Sequence, residues 1–518
     1  MDKAITLFQS KGIPVFKPGQ VEYDHAIAIS NLLFCSWRPD CVVQPETAAH
    51  VQTIIEEAKS KKLKITIKGN GLSYEGPSAA FKGISLDLRR MKGVLLDMKS
   101  KSVTIDAGCQ WGDVYMTLIS GGLRGYIING ARCPTAGVSG FILGGGLGPF
   151  TRSFGMGSDT LMEATLVTAN GELVTVKETD DPKSDEGRLF WALCGAGGGN
   201  FGVLVKMKLR VQHLQNRYGM VVAGTYQWFP EEGLTDDVIA TMNDFYTTDW
   251  PNKITIDSTW ICDLRHNNSL GVRFTVAFDG SKPEYDRVIN KYIKNEELKV
   301  QLQRRVLAEK STHFLHETLM YQWLEETERT YPTNKTYKLH SSFVFKNDNK
   351  DTIKKVTAII RDLMKDLRDN FKGEQVNFLV TWIHSGGKAT EKTSTDSAFF
   401  WREAVFHSYV TVEWVDNRLE RDMRRFLVEI KEALRPLSLN GEAAFINFPD
   451  RDLPTKSHES AYFGDNREEL RRVKEIWDKD NFFRWVQGVR LPGDPEEDEE
   501  GDEDDDKTHH HAGEECEY

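Results

Sequence analysis

CPTAGVSGFILGGGLG, residues 133–148, is one of three glycine-rich stretches in the first part of this chain. The other two are KGNGLSYEG at 68–76 and CGAGGGNFGV at 194–203. Because glycine adopts positive φ and lets the backbone approach a ligand closely, several such loops in one lobe can direct N–H groups at a pyrophosphate. Tight turns in a β-rich lobe would also account for any one of them. Three together, two of them this dense in glycine, favour a bound cofactor that carries phosphate.

The common nucleotide-binding motifs are not found in these loops. No Gly-Lys-Ser/Thr follows any of them, which excludes a Walker loop, and no acidic residue lies at the offset of a Rossmann fingerprint. The phosphate would therefore be bound in another way.

The sequence around the loops predicts an α+β fold. Thr47 begins a helix with one apolar face. The alternating stretch 63–67 is typical of a strand that leads into the first glycine loop, and a hairpin is predicted over 164–176. From residue 215, strands alternate with amphipathic helices, and the apolar stripes at 353–367 and 419–434 indicate helices that cover a sheet.

Length, composition and charge exclude several classes of protein. A chain of 518 residues with 40% hydrophobic and 28% charged residues is typical of a globular protein with two or three lobes. Fourteen acidic residues and one lysine in 494–518 contribute −13 to the net charge of −11, which leaves the rest of the chain at +2. Nothing therefore points to a nucleic-acid partner, and the tail is predicted to be disordered.

Membrane and metal sites are not indicated either. No apolar run long enough to span a bilayer and no secretory leader is present, so we expect a cytoplasmic protein without a membrane partner. None of the cysteines forms a CxxC pair, and no metal site is predicted.

Longer segments resemble a known family. They read RPDCVVQPETAAHVQTII (38–55), DAGCQWGDVY (106–115), LFWALCGAGGGNFGV (189–203), AFINFPD (444–450) and YFGDNREELRRVKEIWDKDNFF (462–483). Together with the glycine loops, they make nearly all of residues 35–490 similar to the berberine-bridge-enzyme-like FAD-linked oxidases of the vanillyl-alcohol-oxidase superfamily.

The resemblance implies a two-lobed α+β fold with FAD as cofactor. A lead-in over 1–34 would precede a PCMH-type FAD-binding domain over 35–214. A substrate domain over 215–443 would place an antiparallel sheet, covered by helices, over the flavin. The segment 444–490 would return the chain to the FAD lobe, ahead of the acidic tail over 491–518.

Members of this family commonly hold FAD by two bonds, one to a histidine in the first glycine loop and one from a cysteine in the second to C(6). The cysteine is present as Cys133, whereas Leu72 occupies the place of the histidine. The resemblance therefore implies a single 6-S-cysteinyl bond. It further implies that FAD is bound by Lys68, Gly69, Asn70, Gly71, Leu72, Ser73, Gly137, Val138, Gly140, Gly144, Gly145, Gly146, Asp159, Asn200, Gly202, Val203, Asn447 and Asn481.

The implied reaction is hydride transfer from a small organic substrate to the flavin. The substrate would be an alcohol, an amine or an activated C–H compound, of the kind found in specialised metabolism. Val138 sits where the family tunes the access of molecular oxygen, and a small branched residue there resembles the oxidases, which release H2O2. A dehydrogenase with another acceptor is a weaker alternative.

Two further positions depart from the family. Phe141 replaces a common histidine, and Phe448 replaces a tyrosine that often serves as the catalytic base. The strand 406–414 places His407, Tyr409, Thr411 and Glu413 on one face. His407 is the preferred base because imidazole titrates near neutral pH, with Tyr409, Glu413 and His384 as alternatives.

These departures leave a second function open. The chain could be a flavoprotein of the same fold that catalyses no net redox reaction, for example one that guides a cyclisation. Leu72, Phe141 and Phe448 all favour that alternative.

Overall fold

The computed structural model describes residues 1–29, 31–73, 75–266, 269–327, 336–454 and 456–494. Of the predicted acidic tail only 491–494 fall within these ranges, and the rest lies outside the described residues. In the described part of the chain, no helix combines the length and the apolarity needed to cross a bilayer.

The first lobe is built on two sheets. Its strands are β1 (Val15–Phe16), β2 (Cys41–Val43), β3 (Ile65–Lys68), β4 (Ile84–Asp87), β5 (Val94–Asp97), β6 (Ser102–Asp106), β7 (Tyr126–Ile127), β8 (Leu161–Val167), β9 (Leu173–Lys177), β10 (Val203–Arg210) and β11 (Gln212–His213). One sheet has the order β1-β2-β4-β3, with β2 and β3 parallel to β4. The other is antiparallel with the order β5-β6-β10-β8-β9, and β7 pairs with β11.

The second lobe contains one large sheet. Its strands are β12 (Met220–Trp228), β13 (Ile254–Asp263), β14 (Leu270–Phe278), β15 (Leu307–Lys310), β16 (Tyr337–Phe345), β17 (Val376–His384) and β18 (Phe406–Trp414). They form an antiparallel sheet with the order β15-β12-β14-β13-β17-β18-β16. One face packs into a large apolar core, and the other faces the first lobe.

The helices cover both lobes. They are α1 (Asp2–Ser10), α2 (Val21–Ile27), α3 (Ala48–Ser60), α4 (Trp111–Ser120), α5 (Val138–Leu143), α6 (Thr151–Phe154), α7 (Asp185–Leu193), α8 (Asp236–Tyr246), α9 (Lys282–Tyr292), α10 (Glu296–Arg305), α11 (Ser311–His313), α12 (Leu319–Thr327), α13 (Lys350–Asn370), α14 (Glu420–Leu434), α15 (His458–Phe463) and α16 (Arg467–Trp477). A 3-10 turn, Asn417–Leu419, leads into α14. The amphipathic helices α13 and α14 pack their apolar stripes against the large sheet, as the sequence predicts.

The elements predicted around the first glycine loop are also confirmed. Thr47 caps α3, and its Oγ1 accepts a hydrogen bond from the His50 N–H at 3.1 Å. The strand β3 leads into the loop, and β8 and β9 form the predicted hairpin. These features arise from periodicity and capping within short stretches, which is why sequence reasoning finds them.

The chain returns to the first lobe after the large sheet. Lys474 of α16 is fully buried and donates hydrogen bonds to the Asn200 carbonyl at 2.7 Å and to the Asp478 carboxylate at 2.8 Å. Because Asn200 lies in the third glycine loop, this buried pair anchors the C-terminal segment against that loop.

The two lobes are joined by a buried arginine. Arg152 of α6 donates three hydrogen bonds to carbonyls of the second lobe, those of Ile254 (2.8 Å), Ser385 (2.6 Å) and Trp250 (2.5 Å). Burial lowers the pKa of Arg152 to about 10. The arginine thereby fixes the first lobe against the end of the large sheet.

Candidate active site

A cavity of 2290 Å³ lies between the lobes. One wall is formed by the glycine loops of the first lobe, a second by the inner face of the large sheet, and a third by the C-terminal segment. The predicted cofactor-binding residues that line it are Gly69, Asn70, Gly71, Leu72, Ser73, Cys133, Gly137, Gly140, Gly202, Asn447 and Asn481. The structure therefore brings the three separate loops together around one space.

The glycines on this wall leave room for a ligand next to the backbone. A Cβ atom placed on Gly69 or Gly140 would meet no atom within 4 Å, and the same holds for Gly199 in the third loop. Any side chain at these positions would project into the open space. The first loop is held in place by Asn70, whose Nδ2 donates to the carbonyls of Gly108 (3.2 Å) and Cys109 (3.1 Å).

Val138 and the triple glycine of the second loop do not line the cavity, which corrects the sequence-based assignment. Val138 begins α5 and is fully buried in the core of the first lobe. A Cβ on Gly144 would lie 2.0 Å from Asn447 Oδ1, and Gly145 and Gly146 face Met156 and Phe141 in the same close manner. These glycines allow the loop to pack tightly, so their contribution to the site is indirect.

Four more predicted cofactor residues are engaged elsewhere and do not line the cavity either. Lys68 is buried and donates to the Ala26 carbonyl at 2.7 Å. Asp159 forms ion pairs with Arg402 and Lys392. The Asn200 side chain bonds backbone groups at Ala196 and Val489, and Val203 is a buried residue of β10. Their side chains support the loops. The four residues belong to the predicted motifs, but their side chains do not form the cavity wall.

Cys133 and Leu72 both face the cavity, from different loops. The Cys133 thiol lies 3.1 Å from Thr135 Oγ1 and is largely buried. Leu72 is 37% exposed. The thiol is the one nucleophile of the two, so a bond to a flavin is chemically possible at Cys133 and excluded at Leu72.

Buried polar atoms at the cavity wall provide a test of whether a cofactor fits. Within the described ranges, Asn481 Oδ1, Trp485 Nε1 and Arg132 Nη2 are buried without a hydrogen-bond partner, and all three residues line the cavity. An unpaired buried polar atom is costly unless a ligand or water satisfies it. Donors, an acceptor and bare glycine backbone together fit a ring system with a phosphate-bearing tail.

The sheet wall presents polar side chains in register. Tyr409 on β18 faces Thr381 on β17, which faces Thr259 on β13, and the two threonine hydroxyls lie 3.2 Å apart. Asp257, two residues before Thr259, forms an ion pair with Arg132 of the second loop. All of these side chains line the cavity. The wall can therefore bind polar groups of a substrate placed against the cofactor.

Tyr409 and Phe448 are stacked at the junction of the sheet wall and the C-terminal segment. Their ring centroids are 4.2 Å apart with an interplanar angle of 13°, and both line the cavity, as does Phe141. The hydroxyl that the family tyrosine would supply at position 448 is thus missing, while a phenol is present on the adjacent ring.

The position of His407 does not support its predicted role as the catalytic base. His407 does share a face with Tyr409, but it lies beneath Phe399 and Phe445 and is not among the cavity-lining residues. Burial lowers the pKa of His407 to about 3, helped by the charge of Arg402. The strand alternation agrees with the prediction, whereas the covering side chains come from distant parts of the chain.

Glu413 and His384 are also outside the cavity wall. Glu413 is buried and forms ion pairs with Arg265 (3.1 Å) and Lys338 (3.4 Å). His384 accepts a hydrogen bond from the Ile256 N–H, and burial lowers the pKa of His384 well below its usual value. Of the candidate bases proposed from the sequence, Tyr409 is therefore the one that faces the cavity.

Sequence reasoning missed one acid–imidazole pair. Glu75 lines the cavity, and its Oε1 lies 2.9 Å from Nδ1 of His340, a residue 265 positions away. Burial, with Asp450 and Asp452 nearby, raises the pKa of Glu75 well above its usual value, and burial lowers the pKa of His340 to about 3. Burial thus disfavours the charged form of both groups, and no local sequence signal joins residues so far apart.

Comparisons with known proteins point to the same cofactor, FAD, as the residues of the site do. A family model described as an FAD binding domain matches residues 39–177, and one described as berberine and berberine-like matches residues 444–490. The uncharacterised FAD-linked oxidoreductase YgaK of Bacillus subtilis is 24% identical over 466 residues, which cover 87% of this chain and 91% of that protein. Tetrahydroberberine oxidase of Argemone mexicana is 24% identical over 493 residues, covering 89% and 85%.

Solved structures show the same fold. A chitooligosaccharide oxidase superposes with a TM-score of 0.75 at 18% identity, covering 94% of this chain and 99% of that one. A variant of berberine bridge enzyme, a reticuline dehydrogenase, superposes with a TM-score of 0.80 at 18% identity and the same coverage. The two-lobed α+β prediction is confirmed. With FAD as its cofactor, the chain carries an FAD binding domain and a berberine-like C-terminal segment, and along most of its length it is similar to the berberine-bridge-enzyme-like FAD-linked oxidoreductases.

Proposed function

We propose that this protein oxidises a small organic substrate, an alcohol, an amine or an activated C–H compound, with O2 as the final electron acceptor. FAD, when bound, would supply a hydride acceptor for the substrate and the two-electron reduction of O2 to H2O2. The observation that carries the proposal is the cavity itself, in which bare glycine backbone faces a polar sheet wall across 2290 Å³.

Cys133, Asn481 and Trp485 are the residues we assign to holding the cofactor. The thiol would form the single covalent bond, while Asn481 Oδ1 and Trp485 Nε1 would find in the cofactor the partners that they lack within the described residues. The loop glycines 69, 140 and 199 would let ring or phosphate atoms lie against the backbone.

Tyr409 is the residue we assign to proton transfer. Loss of a hydride from a hydroxyl- or amine-bearing carbon is accompanied by loss of a proton, and a base must lie within hydrogen-bonding reach of it. Tyr409 faces the cavity, and the stacked ring of Phe448 keeps the phenol in a fixed orientation. Thr381 and Thr259, next to it on the sheet, would orient the substrate through their hydroxyls.

The use of O2 as the electron acceptor is proposed from one position in the second glycine loop. It rests on the small side chain of Val138, which lies one residue beyond the cavity-lining Gly137 and is buried beneath the loop. Tetrahydroberberine oxidase and chitooligosaccharide oxidase are named as oxidases, whereas other structural neighbours are named as dehydrogenases. An experiment with and without O2 distinguishes the two kinds of acceptor.

The test is anaerobic mixing of the purified yellow protein with aromatic alcohols, benzylisoquinoline-type amines and reducing sugars, followed by admission of O2. We expect at least one compound to bleach the flavin absorbance, and O2 to restore it with one H2O2 per turnover. Bleaching without rapid recovery in O2 would identify a dehydrogenase. Conversion of a substrate with no bleaching and no O2 uptake would support the non-redox alternative.

A further inference from the structure

Four arginines line the outer part of the cavity on the side of the large sheet. They are Arg418, Arg421, Arg424 and Arg451. The first three are spaced three residues apart across the turn Asn417–Leu419 and the start of α14, so they lie on one face. The charge of Arg424 helps burial to lower the pKa of Arg451, which shows that the helix and the C-terminal segment bring these cations close together. We call this set the arginine rim.

Most of the arginine rim is satisfied by partners, with one exception. Arg418 forms ion pairs with Glu374 and Asp416, and Arg424 pairs with Glu420. Arg451 donates a hydrogen bond to the Glu75 carbonyl at 3.4 Å. In the part of the chain that the structure describes, Arg421 makes no hydrogen bond, ion pair or ring contact, and its side chain is exposed. An available guanidinium thus faces the entrance of the cavity.

The position of Arg421 is electrostatically unfavourable for the protein alone. It lies in the first turn of α14, where the helix dipole disfavours a cation. It also lies three residues from both Arg418 and Arg424, and like charges at this spacing repel. A bound anion would reverse both effects.

Aromatic side chains lie next to the arginine rim. The Arg451 guanidinium lies 5.1 Å from the ring centre of Phe34 and 5.0 Å from that of Trp37. Phe34 and Trp37 contact each other edge to face, and both line the cavity. An apolar surface, formed by Phe34 and Trp37, therefore lies beside the cationic arginine rim.

The nearby acids do not cancel this charge. Glu420 is paired with Arg424, and Asp452 lies 3.2 Å from Lys431. Burial, together with Asp450 and Asp452, raises the pKa of Glu75 well above its usual value, which disfavours the charged form of that carboxyl. The cationic character at the entrance is retained.

We propose that the substrate carries a carboxylate, which Arg421 and Arg451 bind at the arginine rim while Phe34 and Trp37 contact its apolar body. The planar guanidinium fork matches the two oxygens of a carboxylate. This inference rests on the proposed function, because it assumes that the cavity binds a substrate for oxidation. Its test measures binding and requires no turnover.

The test is calorimetric titration of the FAD-loaded protein with 2-naphthoate and with 2-naphthamide, which have the same shape and differ in charge. We expect the carboxylate to bind at least tenfold more tightly at low ionic strength, and its affinity to fall as NaCl is raised. Arg421→Glu should weaken 2-naphthoate binding tenfold or more and leave 2-naphthamide binding unchanged.

Arg425→Glu is the matched control. It makes the same change in net charge one turn further along α14, at an exposed residue that pairs with Asp422 and does not line the cavity. Its effect on 2-naphthoate should be less than threefold.

Several outcomes would overturn the proposal. They are equal affinity for the two probes, no binding of 2-naphthoate, equal effects of the two variants, and loss of FAD from Arg421→Glu, which would assign the rim to the cofactor. Tenfold tighter binding of 2-naphthyl phosphate than of 2-naphthoate would also overturn the carboxylate assignment in favour of a phosphate ester.

Discussion

Cys133 and Leu72 differ in what their side chains can do to the same cofactor. Both line the cavity, but a thiolate can attack an electron-poor flavin ring and a leucine cannot. One covalent bond in place of the family's two is therefore the expected state of the flavin.

Mass spectrometry of the denatured protein should show one added FAD mass, located on the Cys133 peptide. Cys133→Ala should abolish that addition while flavin still co-purifies, because the glycine loops and Asn481 remain. Leu72→His, which restores the family residue, should add a second linkage. Complete release of flavin by acid from the unaltered protein would contradict the covalent bond.

Tyr409 and His407 are adjacent inward-facing residues of β18, but only Tyr409 lines the cavity. If the phenol removes the substrate proton, Tyr409→Phe should slow anaerobic flavin reduction about a hundredfold or more, the usual size of a general-base effect. FAD content should be unchanged, and stopped-flow absorbance measures the rate.

His407→Asn serves as the comparison. The amide can keep the hydrogen bond to Ser385, which lies 2.8 Å from His407 Nδ1, but it cannot act as a base. Flavin reduction in this variant should stay within a few-fold of the original rate. The opposite pattern, slow for His407→Asn and fast for Tyr409→Phe, would return the role to histidine.

Among the helices, α16 shows how one element can hold a distant loop. Its Lys474 and the following Asp478 are fully buried, and the Asp478 carboxylate also accepts the N–H groups of Phe482 and Phe483 at 2.8 Å each. The pair thus shapes the chain just before and after Asn481, a residue of the cavity wall.

Lys474→Met should destabilise the protein by about 3–5 kcal/mol, because it leaves the Asp478 charge buried without its partner. Flavin content should fall in parallel, since the segment that carries Asn481 loses its anchor. Urea denaturation measures the free energy of unfolding. Lys479→Met, an exposed position nearby, should change it by less than about 0.5 kcal/mol; similar losses in both variants would refute the explanation.

In the molecule as a whole, the relation between the lobes shapes the cavity. Arg152 satisfies three carbonyl groups of the second lobe, and no hydrophobic replacement can do so. Arg152→Met should therefore cost at least about 2 kcal/mol of unfolding free energy, the scale of an unsatisfied buried carbonyl.

The control for this variant is Arg188→Met. Arg188 forms a half-exposed ion pair with Glu469 at 3.6 Å, and such pairs contribute about 1 kcal/mol at most. Denaturation followed by both flavin fluorescence and circular dichroism would compare the two. If Arg152→Met loses flavin no earlier than Arg188→Met, the interlobe bonds do not maintain the site.

The individual helices and strands, and the loops that form the cofactor site, can be predicted from the amino-acid sequence alone. Periodicity, capping at Thr47 and glycine density act within short stretches, and the long motif over 462–483, which contains Asn481, indicates the family that the chain resembles. The glycine loops that line the cavity and the departures at Leu72 and Phe448 are all identifiable in the sequence for the same reason.

Which residues of one strand face can take part in chemistry depends on the tertiary fold. His407, Tyr409 and Glu413 have the same alternation, so their sequence positions cannot distinguish them. Phe399 and Phe445 cover His407, and Arg265 and Lys338 form ion pairs with Glu413. Tyr409 is left open to the cavity. No local pattern encodes this difference, because burial and charge pairing at these positions depend on side chains far away in the sequence.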